Sequence, residues 1–195
     1  MKIKNWRSLK LNGKKVFLRP LRKTDAQRIF ELINDPEVTV FLATVEAPVS
    51  LEEEKAFAKR SELEWQKGKA FHFAIGDKKS GRVVGTCSLF DYNTMHHRAE
   101  AGIWIAKEHW KKGFGSEAIS LLLDFGFQKL KLHRIRYAHI VQNKGSKGIA
   151  QKLGFKKEGF ARDVILKRGK YWNAFIYSIL ENEWKKKTNS QKENS

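Results

Sequence analysis

A glycine-rich segment in the middle of the chain, Trp110 to Ala118 (WKKGFGSEA), constrains the fold more than any other stretch. It follows a short apolar run over 101–106 and precedes an apolar helical segment over 119–130. A strand that turns through glycines into a helix presents free backbone N–H groups at the positive end of the helix dipole, and this arrangement binds phosphate. Gly113 and Gly115 would let an anion approach the backbone closely. Because glycine is also common at helix starts, the segment alone fits either a phosphate site or a simple turn.

The mixture of predicted strands and helices around this segment indicates one α/β domain. Local signals divide the sequence, such as the capping-box pair Ser50 and Glu53 and the helix stop at Gly154. Strands are predicted over 16–21, 71–75, 82–91, 98–106, 133–141, 160–167 and 171–181, and helices over 26–34, 50–67, 113–130 and 146–153. We expect a single domain over 1–184 and a polar, disordered tail over 185–195.

Composition argues against several classes of protein. The single cysteine, Cys87, permits no intrachain disulfide, and its apolar surroundings predict a buried strand residue. No apolar run has the length of a transmembrane helix, and the charged N-terminus lacks the apolar core of a signal peptide. We therefore expect a cytoplasmic protein that does not bind membranes. The six histidines show no paired helical spacing, so no metal site is expected.

The chain is strongly basic, with 39 Lys and Arg against 21 Asp and Glu and a formal net charge of +18. Three interpretations remain open. The charge assists capture of a polyanionic cofactor, it favours an anionic partner such as the ribosome or its RNA, or it is solvated surface charge without a specific role.

Five segments, in order along the chain, resemble motifs of the GNAT acyltransferase superfamily, and most closely of the branch that acetylates the N-termini of ribosomal proteins. They are 18–38 (first strand and helix), 98–105 (central strand), 108–119 (pyrophosphate loop), 143–159 (an Asn-x-x-Ser helix and the turn after it) and 169–184 (closing strand). The resemblance covers about 14–184. It implies the GNAT fold, a single mixed, mostly antiparallel sheet flanked by helices, and transfer of an acetyl group from acetyl-CoA to a primary amine.

The resemblance also implies where acetyl-CoA binds. The loop backbone would hold the pyrophosphate, and the central strand would pair with the pantetheine arm as with an added strand. Asn143 matches the family's pantetheine ligand. As an alternative, Lys111 and Lys112 are ordinary loop charges. The expected cofactor-binding residues are Ile103, Trp104, Ile105, Lys111, Lys112, Gly113, Phe114, Gly115, Ser116, Asn143 and Ser146.

Two residues match the family's catalytic positions. Glu100 would accept the proton of the amine, directly or through water, and its apolar neighbours would raise its pKa. The alternative is an exposed strand glutamate, or one paired with Arg98. Ser146 would donate a proton to the departing thiolate, although Ser146 and Asn143 are equally well interpreted as helix caps. Many superfamily members carry a tyrosine at the position of Ala150, and this chain lacks it.

The acceptor amine is the least constrained expectation. A protein α-amine, with a pKa near 8, is easier to deprotonate than a lysine, with a pKa near 10.4. This difference favours a protein N-terminus, plausibly ribosomal. The alternatives are a small amine (polyamine, amino acid or antibiotic), or a non-catalytic module that binds ribosomal RNA. Acceptor specificity is expected in 36–50 and in the last hairpin, where the branch usually has an acidic residue near Asn173. Because dimers are common in the branch, a homodimer is also open.

Overall fold

The computed structural model describes residues 3–193. The strands in this range are β1 (Leu11–Asn12), β2 (Val16–Pro20), β3 (Phe71–Asp77), β4 (Val83–Asn93), β5 (Arg98–Ile105), β6 (Arg134–Ile140), β7 (Lys156–Lys167) and β8 (Lys170–Leu180). The α-helices are α1 (Ala26–Ile33), α2 (Pro36–Thr39), α3 (Leu51–Lys67), α4 (Phe114–Asp124), α5 (Lys144–Leu153) and α6 (Glu181–Glu193). A π-helical turn, Phe125–Lys129, continues α4.

The strands form one sheet in the order β1-β2-β3-β4-β5-β6-β8-β7. Neighbouring strands are antiparallel, except that β5 and β6 run parallel. A parallel pair needs a crossover connection, and here the segment between the two strands contains the glycine-rich turn and α4. The prediction of a single mixed, mostly antiparallel sheet flanked by helices is confirmed.

Alternation along β5 assigns neighbouring residues to opposite faces of the sheet. Ile105 packs in a large apolar cluster with Ile119 and Leu122 of α4. Trp104 instead packs against a smaller cluster that contains Ile29 of α1 and borders Phe57 of α3. The sheet therefore separates an α4 side from an α1–α3 side.

The local signals for helix ends are confirmed at two places. The Ser50 hydroxyl accepts a hydrogen bond from the Glu53 amide at 3.2 Å, while the Glu53 carboxylate accepts one from the Ser50 amide at 2.7 Å. This is the predicted capping box, and it starts α3. Gly154 takes a left-handed conformation, with φ of 81°, where α5 ends.

The C-terminal segment differs from the disordered tail that its composition predicts. Helix α6 continues to Glu193, so 185–193 is helical, and residues 194 and 195 lie outside the described range. The buried Trp184 anchors the start of this helix, and its indole N–H donates to the Asp124 carboxylate at 2.8 Å. Lys185 and Glu181 form an ion pair one turn apart. One buried aromatic ring beside the polar run supplies the packing that composition alone does not reveal.

Candidate active site

The parallel strands β5 and β6 separate part-way along their length and leave an open cleft in the sheet. Their pairing ends at Ala101 and Tyr137, whereas β5 stays paired with β4 as far as Ile105. Residues 102–105 therefore have one strand edge in the ladder with β4 and the other facing the cleft. An open edge of this kind accepts an extended ligand as an additional strand.

The direction of the amides along β5 identifies which groups face the cleft. The amide of Ala106 donates to the carbonyl of Val84 in β4 at 2.8 Å. Because N–H direction alternates along a strand, the amides of Ile103 and Ile105 point toward the cleft. The amide of Trp104 points toward β4, so of the three predicted strand residues it is the one that does not offer its amide to a ligand there.

The glycine-rich turn has the backbone geometry expected of an anion site. Lys111 and Gly113 both have positive φ, at 59° and 84°. Gly113 is the N-cap of α4 and provides no side-chain cap. The amides of Phe114, Gly115 and Ser116 belong to the first helical turn, where backbone donors have no intrahelical acceptor. They are therefore suited to hydrogen-bond an anion at the positive end of the helix.

Two contacts hold this turn in place, and both involve the β1–β2 connection. Lys15 donates from Nζ to the carbonyl of Lys112 at 2.8 Å. The Glu117 carboxylate accepts from the backbone amide of Lys15 at 2.9 Å, and it also accepts from the amide of Lys14. Sequence reasoning missed Lys15 because the two segments lie about a hundred positions apart. The contact adds an ammonium group to the same turn as the two predicted lysines.

Glu100 lies on β5 on the side that faces α1 and α3, with its side chain 16% exposed. Its carboxylate forms an ion pair with Arg136 of β6, with 3.0 Å between Oε2 and Nε. Glu100 therefore pairs with Arg136, and not with Arg98, the partner given as an alternative from the sequence. Burial raises the pKa of Glu100, although the Arg136 charge opposes this shift. A carboxyl with a raised pKa that lies beside a cleft is a stronger base than an exposed glutamate and is suited to accept a proton.

Asn143 and Ser146 meet at the start of α5. The Asn143 side-chain oxygen accepts from the Ser146 amide at 2.9 Å, so Asn143 is the helix cap and Ser146 is not. The Ser146 side chain lies next to Tyr137 of β6. The buried hydroxyl of Tyr137 makes no hydrogen bond of normal length and angle within residues 3–193. Burial raises the pKa of Tyr137 to about 12, and the adjacent Ser146 hydroxyl opposes the shift. Tyr137 therefore supplies a protonated hydroxyl in a chain that has Ala150 at the family's tyrosine position.

A cavity of about 980 Å³ joins these features on the α1–α3 side and at the cleft. It brings together the predicted residues Glu100, Ile103, Trp104, Asn143 and Ser146. Residues of the glycine-rich turn do not line this cavity. The segment 41–49 and the β7–β8 hairpin complete its wall, at the places where acceptor specificity is expected.

A series of hydrogen bonds that joins residues of α3, β3 and β4 also reaches the cavity. The ring of His72 contacts the Ser88 hydroxyl at 2.7 Å through Nδ1 and the Glu64 carboxylate at 2.7 Å through Nε2. Burial lowers the pKa of His72, although Glu64 opposes the shift. No sequence motif indicated this series, because its members come from three separate elements.

Cys87 is buried in β4, and burial raises the pKa of its thiol. Because the thiolate is the reactive form, we expect native protein to resist alkylation by iodoacetamide at about pH 8. Denaturation should expose one reactive thiol per chain, and mass spectrometry of the alkylated protein measures both states. Rapid labelling of the folded protein would contradict the buried position of Cys87.

No helix within residues 3–193 has the length and apolar character needed to cross a membrane. No cluster of three or more His, Cys, Asp or Glu side chains in the same range is arranged to hold a metal ion.

Comparison with known proteins gives the family. The model of the acetyltransferase (GNAT) domain matches residues 15–156. The uncharacterized N-acetyltransferase p20 of Bacillus licheniformis is 30% identical over 174 residues, which cover 89% of this chain and 97% of the relative. YdaF of Bacillus subtilis (strain 168), provisionally named a ribosomal N-acetyltransferase, is 31% identical, with 87% of this chain and 93% of the relative covered.

A solved structure agrees with these matches. Spermidine N-acetyltransferase from Vibrio cholerae, in complex with CoA and spermine, superposes with a TM-score of 0.78 and 26% identity. The match covers 88% of this chain and 99% of the other. The open edge of β5, the helix start at the glycine-rich turn and these relatives agree with one another. The chain belongs to the GNAT family of acetyl-CoA-dependent N-acetyltransferases.

Proposed function

We propose that this enzyme acetylates the N-terminal α-amine of a protein, with a ribosomal protein as the favoured acceptor. The observation that carries this proposal is the apolar surface beside the cavity mouth. Ala161, Val164 and Ile165 of β7 line the cavity, and Val164 and the nearby Leu166 are more than half exposed. Exposed apolar surface that continues into a cavity is typical of a binding site for a polypeptide. The provisional name of the relative YdaF supports a ribosomal acceptor.

Acetyl-CoA is held in this proposal by the chain's own backbone. The pantetheine arm pairs with the open edge of β5 through the amides of Ile103 and Ile105, and the pyrophosphate binds the amides of 111–116. Lys15, Lys111 and Lys112 add positive charge at that turn. Asn143 orients the start of α5, and Ser146 is positioned by it near the thioester. An amide of the β5 edge donates to the carbonyl oxygen, and such a donor contributes about 3 kcal/mol to stabilisation of the transition state.

Acetyl transfer then proceeds by direct attack. The neutral amine forms a bond to the thioester carbonyl carbon, the carbon–sulfur bond breaks, and CoA leaves as the thiolate. Glu100 accepts the proton that the amine loses. Ser146 donates a proton to the thiolate and regains one from Tyr137, whose pKa is raised to about 12. Solvent then returns a proton to Tyr137, and Glu100 releases the amine proton to solvent, which restores both groups for the next turnover.

A small amine is the second candidate acceptor, because one relative in this family was solved with spermine. The net charge of +18 opposes a polycationic acceptor, but the cavity itself contains carboxylates such as Glu46 and Glu54. Local charge at the cavity outweighs distant surface charge at physiological ionic strength.

The release of CoA with matched acceptors tests the proposal. We expect turnover with peptides that have a free N-terminal serine or alanine and no turnover when that terminus is acetylated. Spermidine should give a kcat/KM at least about tenfold lower, because the apolar surface near β7 contributes nothing to its binding. Equal or faster turnover of spermidine, with blocked and free peptides equally inert, would assign the enzyme to small amines.

A further inference from the structure

Glu54 carries a buried carboxylate that differs from its acidic neighbours in α3. It lies in the first turn of α3, is 6% exposed and lines the cavity. Its Oε2 has no hydrogen-bond partner among the described residues. The neighbouring acids are different: Glu52 pairs with Lys55 at 2.8 Å, and Glu53 is bonded to Ser50 in the capping box.

The cationic side chains around the cavity are engaged elsewhere. Arg136 pairs with Glu100, and Arg60 lies over the Phe57 ring, with 5.4 Å between its guanidinium carbon and the ring centre. Lys167 is buried beside the cavity and donates to the carbonyl of Leu42 at 2.6 Å and to that of Val45. Although the chain has 39 basic residues, Arg60, Arg136 and Lys167 beside the cavity make their contacts with groups other than Glu54. A cation that neutralises this carboxylate would have to come with a ligand.

The surroundings of Glu54 define the ligand that would fit. An unpaired buried carboxylate destabilises the charged form, and burial raises the pKa of Glu54 to about 7. A bound cation would restore the charged form and provide a charge-assisted hydrogen bond. The cavity that Glu54 lines also has apolar wall residues, among them Val49 and Phe57 close to it in sequence. The ligand group is therefore an ammonium or guanidinium on an apolar stem.

We propose that Glu54 binds a second, non-reacting cationic group of the acceptor, while the reacting amine lies at Glu100. This inference rests on the proposed use of the cavity as the acceptor site. A carboxylate that holds an ammonium raises the pKa of that ammonium and opposes its deprotonation. Glu54 is therefore suited to bind a cation that stays charged through the reaction. It lies on α3, whereas the proposed base, Glu100, lies on β5. The cation is either a basic side chain close to a peptide N-terminus or the far end of a small diamine.

Two matched pairs of acceptors distinguish these sources without adding a second amine that can be acetylated. The first pair consists of peptides that begin Ser-Arg or Ser-citrulline. The second consists of agmatine and its neutral urea analogue, carbamoylputrescine. Each pair exchanges a guanidinium for an uncharged group of nearly the same shape. For the wild-type enzyme, we expect kcat/KM to favour the guanidinium by about tenfold or more in at least one pair, mainly through KM.

Glu54→Gln should remove this preference and leave kcat for the neutral acceptors and the affinity for acetyl-CoA within about twofold of wild type. Its melting temperature should rise, because an unpaired buried charge is replaced by a neutral group. Glu52→Gln is the matched control: it removes one charge from the same helical turn, and it should retain the preference. A preference that persists in Glu54→Gln would overturn the inference.

The two proposals fail in different ways. Wild-type enzyme that turns over either pair with no preference for the guanidinium would overturn the role of Glu54 and leave acetyl transfer intact. A guanidinium preference with agmatine, together with no turnover of either peptide, would support the role of Glu54 and overturn the protein acceptor. Absence of turnover with all four compounds would contradict both.

Discussion

Glu100→Gln should lower kcat/KM by about 100-fold at pH ~6.5, because general-base catalysis contributes about 10²- to 10⁴-fold. The substituted amide keeps the shape of the side chain but cannot accept the proton of the amine. The deficit should shrink as the pH approaches the amine pKa near 8, since more of the acceptor is then already neutral. Initial rates of CoA release across the pH range measure this directly.

Affinity for acetyl-CoA separates catalysis from structure in this experiment. Glu100→Gln should bind acetyl-CoA within about twofold of wild type, because Glu100 faces the α1–α3 side. Arg136→Gln is a useful companion variant, because it removes the ion-pair partner and keeps the base. In Arg136→Gln the pKa of Glu100 should rise further, and the pH profile should move to higher pH. Equal losses of rate and acetyl-CoA affinity in Glu100→Gln would make Glu100 a structural residue.

Ile103→Pro should weaken binding of acetyl-CoA by about 10- to 100-fold, the effect of losing one buried backbone hydrogen bond to a ligand. Proline removes the amide that points into the cleft. It leaves the ladder with β4 intact, because that ladder uses the amides on the other edge of β5. Proline is tolerated on a free strand edge, so the fold should survive. Isothermal titration with acetyl-CoA measures the change.

Ile103→Val is the control for this variant, since it keeps both the amide and an apolar, β-branched side chain. Its affinity should stay within about threefold of wild type, because one methylene is lost from a partly buried contact. Unchanged affinity in folded Ile103→Pro would show that the open edge of β5 does not pair with the coenzyme.

The sequence was most informative where a local structure, such as a turn or a helix cap, depends on residues close together in the chain. Gly113 lies at the positive φ that its turn requires, Ser50 and Glu53 form their capping box, and Asn143 caps α5. Each of these signals is local, because the groups that interact are within three positions of each other or belong to one turn. The mixed sheet and the family were predictable because the motifs occur in a fixed order.

Contacts between distant segments were not predictable in this way. Lys15 contacts the carbonyl of Lys112, and Tyr137 adjoins Ser146. Arg136 pairs with Glu100 because the register of β5 and β6 places the two residues opposite each other. Asn173, near the position where the branch usually has an acidic residue, accepts a hydrogen bond from the amide of Asp163 at 2.8 Å and braces the last hairpin. One sequence contains no signal for such pairings, since many residues of each type are available.

The helical C-terminus shows a related limit of sequence reasoning. Segment 185–193 is polar enough to favour disorder, yet it continues from a helix that Trp184 anchors on Asp124. The composition of 185–195 is an average over the whole polar segment, so it does not reflect the single aromatic residue, Trp184, that precedes it. The buried ring and its hydrogen bond attach the start of the helix to α4.

A crystal structure with acetyl-CoA tests the central claim most directly. We predict that the pyrophosphate oxygens lie within hydrogen-bond distance of amides in 111–116, and that the pantetheine arm runs along 102–105 with the thioester between β5 and β6. Density for the coenzyme elsewhere, or an empty cleft at saturating acetyl-CoA, would contradict the account.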